Sequence, residues 1–314
     1  MKHSRKWPIV TGLDVCVDLI VTGDTTPRFG QAEQVLDNYV IAMGGSCAIF
    51  AVQCAKLRKG ILGIGVRGAD AFGDVFEQGL ANGGVDTSHL RVDPTMKTGL
   101  GIALVRADDR AILTYNGTID ALTAADYPDA LLRDCGHLHI GSFFLMKRLS
   151  RDMPSIARRA KAQGMTISLD TNWDPEEKWQ GLDEVLDYVD LLLPNEQELS
   201  ALGGLESLVK RVPVVAVKRG ALGASVHTAG GELLHEHAFP VPFIDAIGAG
   251  DSFDAGFVSA WVDGMSLRTC LTVACACGSL SVRAQGGIAG QGHLDEVSGL
   301  VAQRGAIYGD SRCQ

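Results

Sequence analysis

The sequence predicts an α/β fold: a mostly parallel sheet with helices on both faces and a small antiparallel sheet set over its end. Three observations carry this expectation. Short β-branched runs alternate with stretches of helical period along most of the chain, the pattern of strands joined by crossover helices. Two stretches, 15–43 and 95–118, break that rhythm and have no convincing helical period. The composition is globular, 46% hydrophobic and 21% charged over 314 residues, enough to bury a core of ordinary size.

Taken in order, strands are expected at 9–13, 61–66, 137–141, 166–170, 189–193, 214–218 and 224–228, the short β-branched and apolar runs. Helices are expected at 48–58, 71–82, 151–163, 196–202, 252–262 and 267–283. No repeat, low-complexity tract or linker interrupts them, so residues 1–314 read as a single domain. The stretch 95–118 holds two alternating runs around residues 106–110, where Asp108 and Asp109 suit a hairpin turn. With 15–43 it is expected to form a small antiparallel sheet, a lid over the end of the parallel one. The 38 glycines point to tight turns and close backbone approaches.

Charge and cysteine usage exclude several function classes. Lys and Arg total 28 against 37 Asp and Glu, a net charge of −9. A general nucleic-acid or membrane-surface binder would carry a basic excess, so neither partner is expected. The first ten residues lack the apolar run of a signal peptide. The most apolar late stretch, 267–282, is interrupted by Thr269, Thr272, Gly278 and Ser279 and is too short to span a bilayer. There are eight cysteines and no C-x-x-C pair. Cys16, Cys47, Cys54, Cys135 and Cys270 sit in apolar runs, and Cys275 and Cys277 are two apart on an expected helix. That usage reads as reduced, core-filling cysteine in a cytoplasmic protein.

The most informative stretch is FIDAIGAGDSFDAGFVSAW, 243–261. Gly248-Ala249-Gly250 is followed by a helical pattern through Phe253, Phe257, Ala260 and Trp261. A glycine turn opening a helix presents unpaired N–H groups and the positive end of the helix dipole, which together form an anion site. Asp251 stands in the first turn. A carboxylate beside a phosphate site opposes affinity, but it is useful as a base that takes the proton of an attacking hydroxyl. The plainer role for such an Asp is a helix cap.

These residues resemble the D-T-x-G-A-G-D-x-F signature of the PfkB (ribokinase-like) family of carbohydrate kinases, with Ala246 where Thr is usual. A second stretch, GGSCAIFAVQCAKL followed by GIGVRGADAFGDVF, is similar to the family's other signature. It has Gly44 and Gly45 opening a helix, then Gly68, Asp70 and Gly73, with Ile49 where the family often has Asn. LLPNEQEL supplies the N-x-x-E pair Asn195 and Glu198, and AVKRGALGA and ACGSLSVRAQGG resemble the segments around the nucleotide. LDTNWDPEEKW resembles the rim segment D-x-N, with Asp174 where the family often has Arg. GVDTSHL also has the family's look, and the likeness runs from about Gly12 to Gly287.

The resemblance implies a ribokinase-like three-layer α/β/α sandwich with a β lid, ATP as donor, Mg²⁺, and a hydroxyl of a sugar or sugar derivative as acceptor. Asp251 would be the base, and Gly248, Ala249 and Gly250 the anion hole. Asp18 would bind substrate hydroxyls, with Asp14 a second candidate and Gly44, Gly45 and Ser46 beside them. Asn195, Lys218, Gly220, Gly223 and Gly278 fall at nucleotide positions, and Glu198 at the water-linked Mg²⁺ position. Asp245 and the carbonyl of Ile247 match the family's monovalent-cation loop, a K⁺ site where a member uses one. Lys218 or Arg219 would replace the charge of the Arg missing at Asp174. A homodimer through the outer face of the lid is expected.

Two rivals follow from the residues. An adenosine-type nucleoside kinase of the same fold would use Phe29, Tyr39, Phe50 and Tyr115 as walls around the base. An NAD-dependent oxidoreductase would use the G-x-G-x-x-G at 63–68 with Asp86 beyond it. Its glycines, however, fall inside an expected strand. No G-x-x-x-x-G-K-[ST] or H-E-x-x-H is present, and His137 and His139 alternate as ordinary sheet residues.

Overall fold

The structure is a computed structural model that describes residues 5–106 and 110–305. The first half holds β1 (Trp7–Gly12), β2 (Cys16–Gly23), β3 (Leu36–Met43), α1 (Ser46–Lys56), β4 (Ile61–Gly68), α2 (Ala71–Asn82), β5 (Asp86–Asp93), β6 (Gly99–Val105), β7 (Arg110–Tyr115), α3 (Asp129–Arg133) and β8 (Cys135–Ile140). The second half holds α4 (Lys147–Ala162), β9 (Thr166–Leu169), α5 (Asp183–Leu186), β10 (Leu191–Leu192), α6 (Glu196–Ala201), α7 (Leu205–Leu208), β11 (Val214–Lys218), β12 (Ala224–Thr228), β13 (Leu233–Glu236), α8 (Ala249–Val262), α9 (Leu267–Ser281) and α10 (Leu294–Gln303).

Nine strands form the main sheet in the order β13-β12-β11-β10-β9-β8-β1-β4-β5. The pairs from β11 through to β5 are parallel, and β12 and β13 add an antiparallel edge. Alternate residues of each strand enter two separate cores. Ile9, Leu191 and Val214 pack with Phe50, Phe76, Phe253, Phe257 and Leu271 on one face. Val10, Leu138 and Val215 pack with Tyr127, Met153, Ile156 and Leu208 on the other. This is the helix–sheet–helix sandwich expected, because strands buried on both faces need a helical layer on each. Gly63, Gly65 and Gly68 lie within the strand β4, so they form no dinucleotide loop.

Local rules explain most element ends. Asp70 caps α2 by accepting Gly73 N–H at 2.8 Å, and Ser266 caps α9 through Thr269 N–H at 3.2 Å. Three helices begin earlier than the apolar pattern indicates. The pattern starts α1 at 48, α4 at 151 and α8 at 252, whereas they begin at Ser46, Lys147 and Ala249. The first turns of α1 and α8 are set by glycines and polar residues that carry no apolar period, and that of α4 by Lys147, Arg148 and Ser150. The strand expected at 189–193 shrinks to Leu191–Leu192. The edge strands β5 and β13 lie outside the sequence expectation, because their residues are largely exposed and give no buried alternation. The terminal helix α10 is a further addition to it.

The two stretches without helical period do form a separate sheet, in the order β3-β2-β6-β7. It is mixed rather than antiparallel: β2 pairs antiparallel with β3 but parallel with β6. Asp108 and Asp109 lie outside the described residues. The register sorts the lid into two faces. Asp18, Ala42, Gly101 and Thr114 share a row, and Ile20, Val40, Ala103 and Ile112 form the next row on the same face. Ala42 and Ile20 come within 4.0 Å of a Cβ built on Gly286, so this is the inner face. Leu19, Ile41, Ile102 and Leu113 belong to the outer one. The seven described cysteines are free and buried. Among the described residues no helix is long and apolar enough to cross a membrane.

Candidate active site

The C-terminal ends of β1, β8, β9, β10 and β11 open at one edge of the main sheet, the usual place for a ligand in an open parallel sheet. Polar side chains gather there. Asp14 follows β1 and is buried. Its carboxylate accepts Ser46 N–H at 2.8 Å, Cys47 N–H at 3.0 Å and the Ser142 hydroxyl. It therefore caps α1, whose own N-cap residue is Gly45 at φ 91. Burial pushes its pKa up to about 6 against those hydrogen bonds. Asp14, the second substrate acid expected from sequence, thus closes the start of α1 at the sheet edge.

Asn172 ties the same region together from a left-handed backbone at φ 52. Its Oδ1 accepts Ser142 N–H at 2.7 Å, and its Nδ2 donates to Ser46 Oγ at 3.1 Å. Neither Asn172 nor Asp170 is among the site residues expected from sequence, although both belong to the rim segment. The D-x-N pattern at a strand end is the signal that could have found them. Asp18 reaches in from the lid. A Cβ on Gly44 would lie 2.6 Å from its carboxylate and one on Gly101 2.5 Å from its Oδ1. Only glycine at both positions leaves room for that acid. Gly44 thus lies against Asp18, while Gly45 lies against Asp14 and leads into Ser46 at the start of α1.

Opposite them is the tip of α8. Gly248 adopts φ 73, and a Cβ there would come within 2.8 Å of Gly287 Cα and O and 2.9 Å of Ile49 Cγ2. Ile49 is buried beneath this turn; it shapes the turn from below, where the family often has a polar side chain. Ala249 N–H donates to Ala246 O at 3.3 Å. Among the described residues the N–H groups of Gly248, Gly250 and Asp251 donate to no backbone carbonyl. These three are the donors the turn offers. The Asp251 carboxyl is pushed up to about 7, first by burial, then by Asp170 and Asp14, against Lys218 and a Ser46 hydrogen bond. A carboxyl poised near neutral pH is suited to proton abstraction.

Lys218 ends β11 and is nearly buried. Its Nζ lies 2.6 Å from Asp170 Oδ2 and 3.2 and 3.3 Å from the two oxygens of Asp254. It also lies 3.4 Å from a Cβ built on Gly250. Arg219 turns instead to Glu196 Oε1 at 2.9 Å. At the position where Arg was absent, the Asp174 carboxylate accepts the N–H groups of Glu176, Lys178 and Trp179 and organises its own turn. Lys218 is therefore the cation placed under the anion turn.

On the far side of that turn is a cavity of about 540 Å³, lined by Lys218, Gly220, Gly223, Gly250, Phe253 and Gly278 among others. Its largely apolar wall fits a flat heterocycle with phosphates toward Gly250. Asn195 is outside this lining. Its Oδ1 accepts Gln197 and Glu198 N–H while Glu198 Oε2 accepts Asn195 N–H, a reciprocal cap on α6. Burial and Asp170 push Glu198 up to about 7 against Lys218. Asp245 accepts Ile247 N–H at 3.0 Å and Gly286 N–H at 2.9 Å, pinning the two loops beside the turn. His137 and His139 are buried sheet residues, bonded to Thr166 and Ser168. Burial pushes both down to about 3.

With this geometry in place, the chain matches the family model described as pfkB family carbohydrate kinase over residues 13–292. The chain belongs to that family. The pfkB match is carried further by an ATP-dependent ribose-1-phosphate kinase of Halopiger xanaduensis, 32% identical over 250 residues, covering 77% of this chain and 81% of that protein. Ribokinase of Arabidopsis thaliana is 27% identical over 307 residues, covering 90% and 77%. An E. coli protein described as a ribokinase II, solved with ATP and Mg²⁺, superposes with a TM-score of 0.84 at 27% identity, covering 95% of this chain and 99% of that one.

The metal in that E. coli neighbour is Mg²⁺. Among the described residues no three His, Cys, Asp or Glu side chains gather as a metal cage. The donor set at hand is the hard oxygens of Glu198 and Asp170. That fits an ion held chiefly by nucleotide phosphates and water, whose water shell Glu198 would meet. Bound there, the ion would neutralise phosphate charge.

Proposed function

We propose that this protein transfers the γ-phosphoryl group of ATP to a hydroxyl of a sugar or sugar derivative. The observation that carries the reading is the position of Asp251. It stands at the helix tip that separates the nucleotide cavity from the lid, with a carboxyl poised near pH 7. In this reading Asp18 accepts hydroxyl hydrogen bonds and orients the acceptor. Asp251 takes the proton of the attacking oxygen, and the N–H groups of Gly248, Gly250 and Asp251 receive the transferring phosphoryl. One such donor contributes on the order of 3 kcal/mol to a transition state. Lid closure excludes water, which would otherwise compete as acceptor. Gly220, Gly223 and Gly278 flank the nucleotide, and a K⁺ would sit against Asp245 and the Ile247 carbonyl.

A second reading, a nucleoside acceptor, is favoured by the inner lid. Beyond the Asp18 row comes an aliphatic row, Ile20, Val40, Ala103 and Ile112, a surface for a flat base. It does not use the aromatic residues expected from sequence. Phe50 is buried against His139 at 3.7 Å, Phe29 is 97% exposed, and Tyr39 and Tyr115 belong to the outer face. ADP release with ribose, ribose 1-phosphate, fructose, tagatose phosphate, 2-keto-3-deoxygluconate and adenosine, in K⁺ and in choline salts, tests both readings. One acceptor is expected to exceed the others by at least ~10²-fold in kcat/KM. No acceptor-dependent ADP from any of them overturns the proposal.

The outer lid face exposes Tyr39, Ile41, Leu113 and Tyr115. An apolar patch of this kind is suited to a second copy of the chain, and we propose a homodimer through it. Light scattering at micromolar concentration is expected to give twice the chain mass; the mass of one chain overturns it.

A further inference from the structure

Two residues in a left-handed backbone border the cleft without a role in phosphoryl transfer. Among the described residues six other than glycine have a positive φ, and two of these, Ser142 at φ 48 and Asn172 at φ 52, follow the neighbouring strands β8 and β9. The pair is joined, since Asn172 Oδ1 accepts Ser142 N–H at 2.7 Å. A side chain in that conformation is costly, and glycine is the residue that adopts it freely. That both positions carry side chains points to a use for them.

The hydrogen bonds identify what they hold. Ser142 Oγ donates to Asp14 Oδ2, and the same oxygen accepts Ser46 N–H at 2.8 Å. Asn172 Nδ2 donates to Ser46 Oγ at 3.1 Å. Asp14, Ser46, Asn172 and Ser142 therefore close a ring that joins the ends of β1, β8 and β9 to the start of α1. Asn172 N–H also reaches Asp170 Oδ1 at 3.1 Å, but that is a backbone bond which other residues at 172 keep. The orientation of the Asn172 amide is fixed by the ring. Turned over, it would set its NH₂ group against the Ser142 N–H, donor against donor. The group facing Ser46 is thus the NH₂, which only donates. Ser46 Oγ accepts from it, and the Ser46 proton is left for another partner.

The helix sets where that proton goes. Ile49 is three residues beyond Ser46 and so on the same side of α1, and its Cγ2 lies 2.9 Å from a Cβ built on Gly248. Ser46, one turn nearer the helix start, therefore faces the tip of α8. Just before it, a Cβ built on Gly44 lies 2.6 Å from the Asp18 carboxylate. The hydroxyl stands between the acid proposed to orient the acceptor and the helix tip proposed to receive the phosphoryl. We propose that Asn172 is a positioning residue: by donating to Ser46 Oγ it turns the Ser46 proton into the cleft, as a fixed hydrogen-bond donor to an oxygen of the acceptor. The inference rests on the kinase reading, which makes this the acceptor's side of the cleft.

The test is a double-mutant cycle on ADP formation with Asn172→Gly, Ser46→Ala and the two combined, using the member of the acceptor panel that gives the highest kcat/KM. Asn172→Gly is expected to raise the acceptor KM at least ~10-fold and to keep the ATP KM within ~2-fold. Ser46→Ala should do the same. The double variant should be no more than ~3-fold worse than the worse single, because both changes remove one donor. Losses that multiply overturn the proposal. So does an unchanged acceptor KM in Asn172→Gly, and so does an equal rise in both KM values, which would mark a general loosening of the site. Glycine tolerates φ 52, so the variant relieves the backbone. If it still does not fold, Asn172→Asp takes its place: it keeps the shape and the oxygen for Ser142 but accepts the Ser46 proton instead of donating. A loss of which at least ~5-fold vanishes in the Ser46→Ala background supports the proposal, and a loss that persists there in full overturns it. Absence of acceptor-dependent ADP from the parent protein overturns the kinase reading and this inference with it, whereas multiplying losses in an active enzyme overturn this inference alone.

Discussion

Asp251→Asn is expected to lower kcat by at least ~10²-fold with little change in acceptor KM. Asn keeps the size and the hydrogen bonding of the side chain but cannot take a proton. The loss is then that of general-base catalysis, typically ~10²–10⁴, while ground-state binding is retained. In the unaltered protein the base must be ionised, so kcat/KM should rise with pH through about 7, where burial and the neighbouring acids place this group. Stability should run the other way. Folding raises the pKa of this carboxyl from 3.8 to about 7, so its ionisation weighs against the fold as pH rises through that window. Asp251→Asn should therefore melt higher than the parent at pH 8, with the gap narrowing toward pH 5. Near-normal turnover would remove Asp251 from the base role, and a lower melting temperature at pH 8 would contradict the desolvation argument.

The second large effect is expected at Gly248. Alanine there meets two separate penalties. A left-handed backbone costs a residue with a Cβ about 1–2 kcal/mol. The added carbon also meets Gly287 Cα and O at 2.8 Å, backbone atoms that cannot rotate away. The turn must shift, and with it the N–H groups proposed to receive the phosphoryl. Gly248→Ala should lose at least ~10-fold in kcat and raise the KM for ATP. Gly264 is the control, because it has the same φ of 73 and a Cβ added there would meet nothing within 4 Å. Gly264→Ala should lose stability alone and keep kcat. Equal kinetic loss in both variants would reduce the Gly248 effect to backbone strain.

Much of the fold was legible because its signals are short-range. The helix 71–82 and the strands 214–218 and 224–228 agree with the structure residue for residue, since a cap, an apolar period or a β-branched run lies within each. The lid was legible as an interruption of the rhythm, but its parallel β2–β6 pairing depends on residues some eighty positions apart. The short α3, α5 and α7 and the exposed edge strands had no periodic signal to read. In the site, Asp251, Asp18 and the glycines were legible as motifs. Asp254 could have been found from its i, i+3 spacing to Asp251, and Asn172 from its place after a strand.

By itself the chain determined which kinds of group are present: a glycine turn at a helix start, an acid beside it, a second acid entering a lid strand, and a reciprocal cap at Asn195 and Glu198. Those are rules of backbone and side chain acting over about four residues. Tertiary structure alone decided what each acid does. Asp14 became a helix cap, Asp170 the close partner of Lys218, Asp251 a buried acid pushed up toward neutrality at the tip of α8, and Asp254 a buried acid beside Lys218. The reason is physical: charge state is set by loss of water and by the distance to other charges, and in this protein those charges come from strands and helices that meet only when the sheet is assembled.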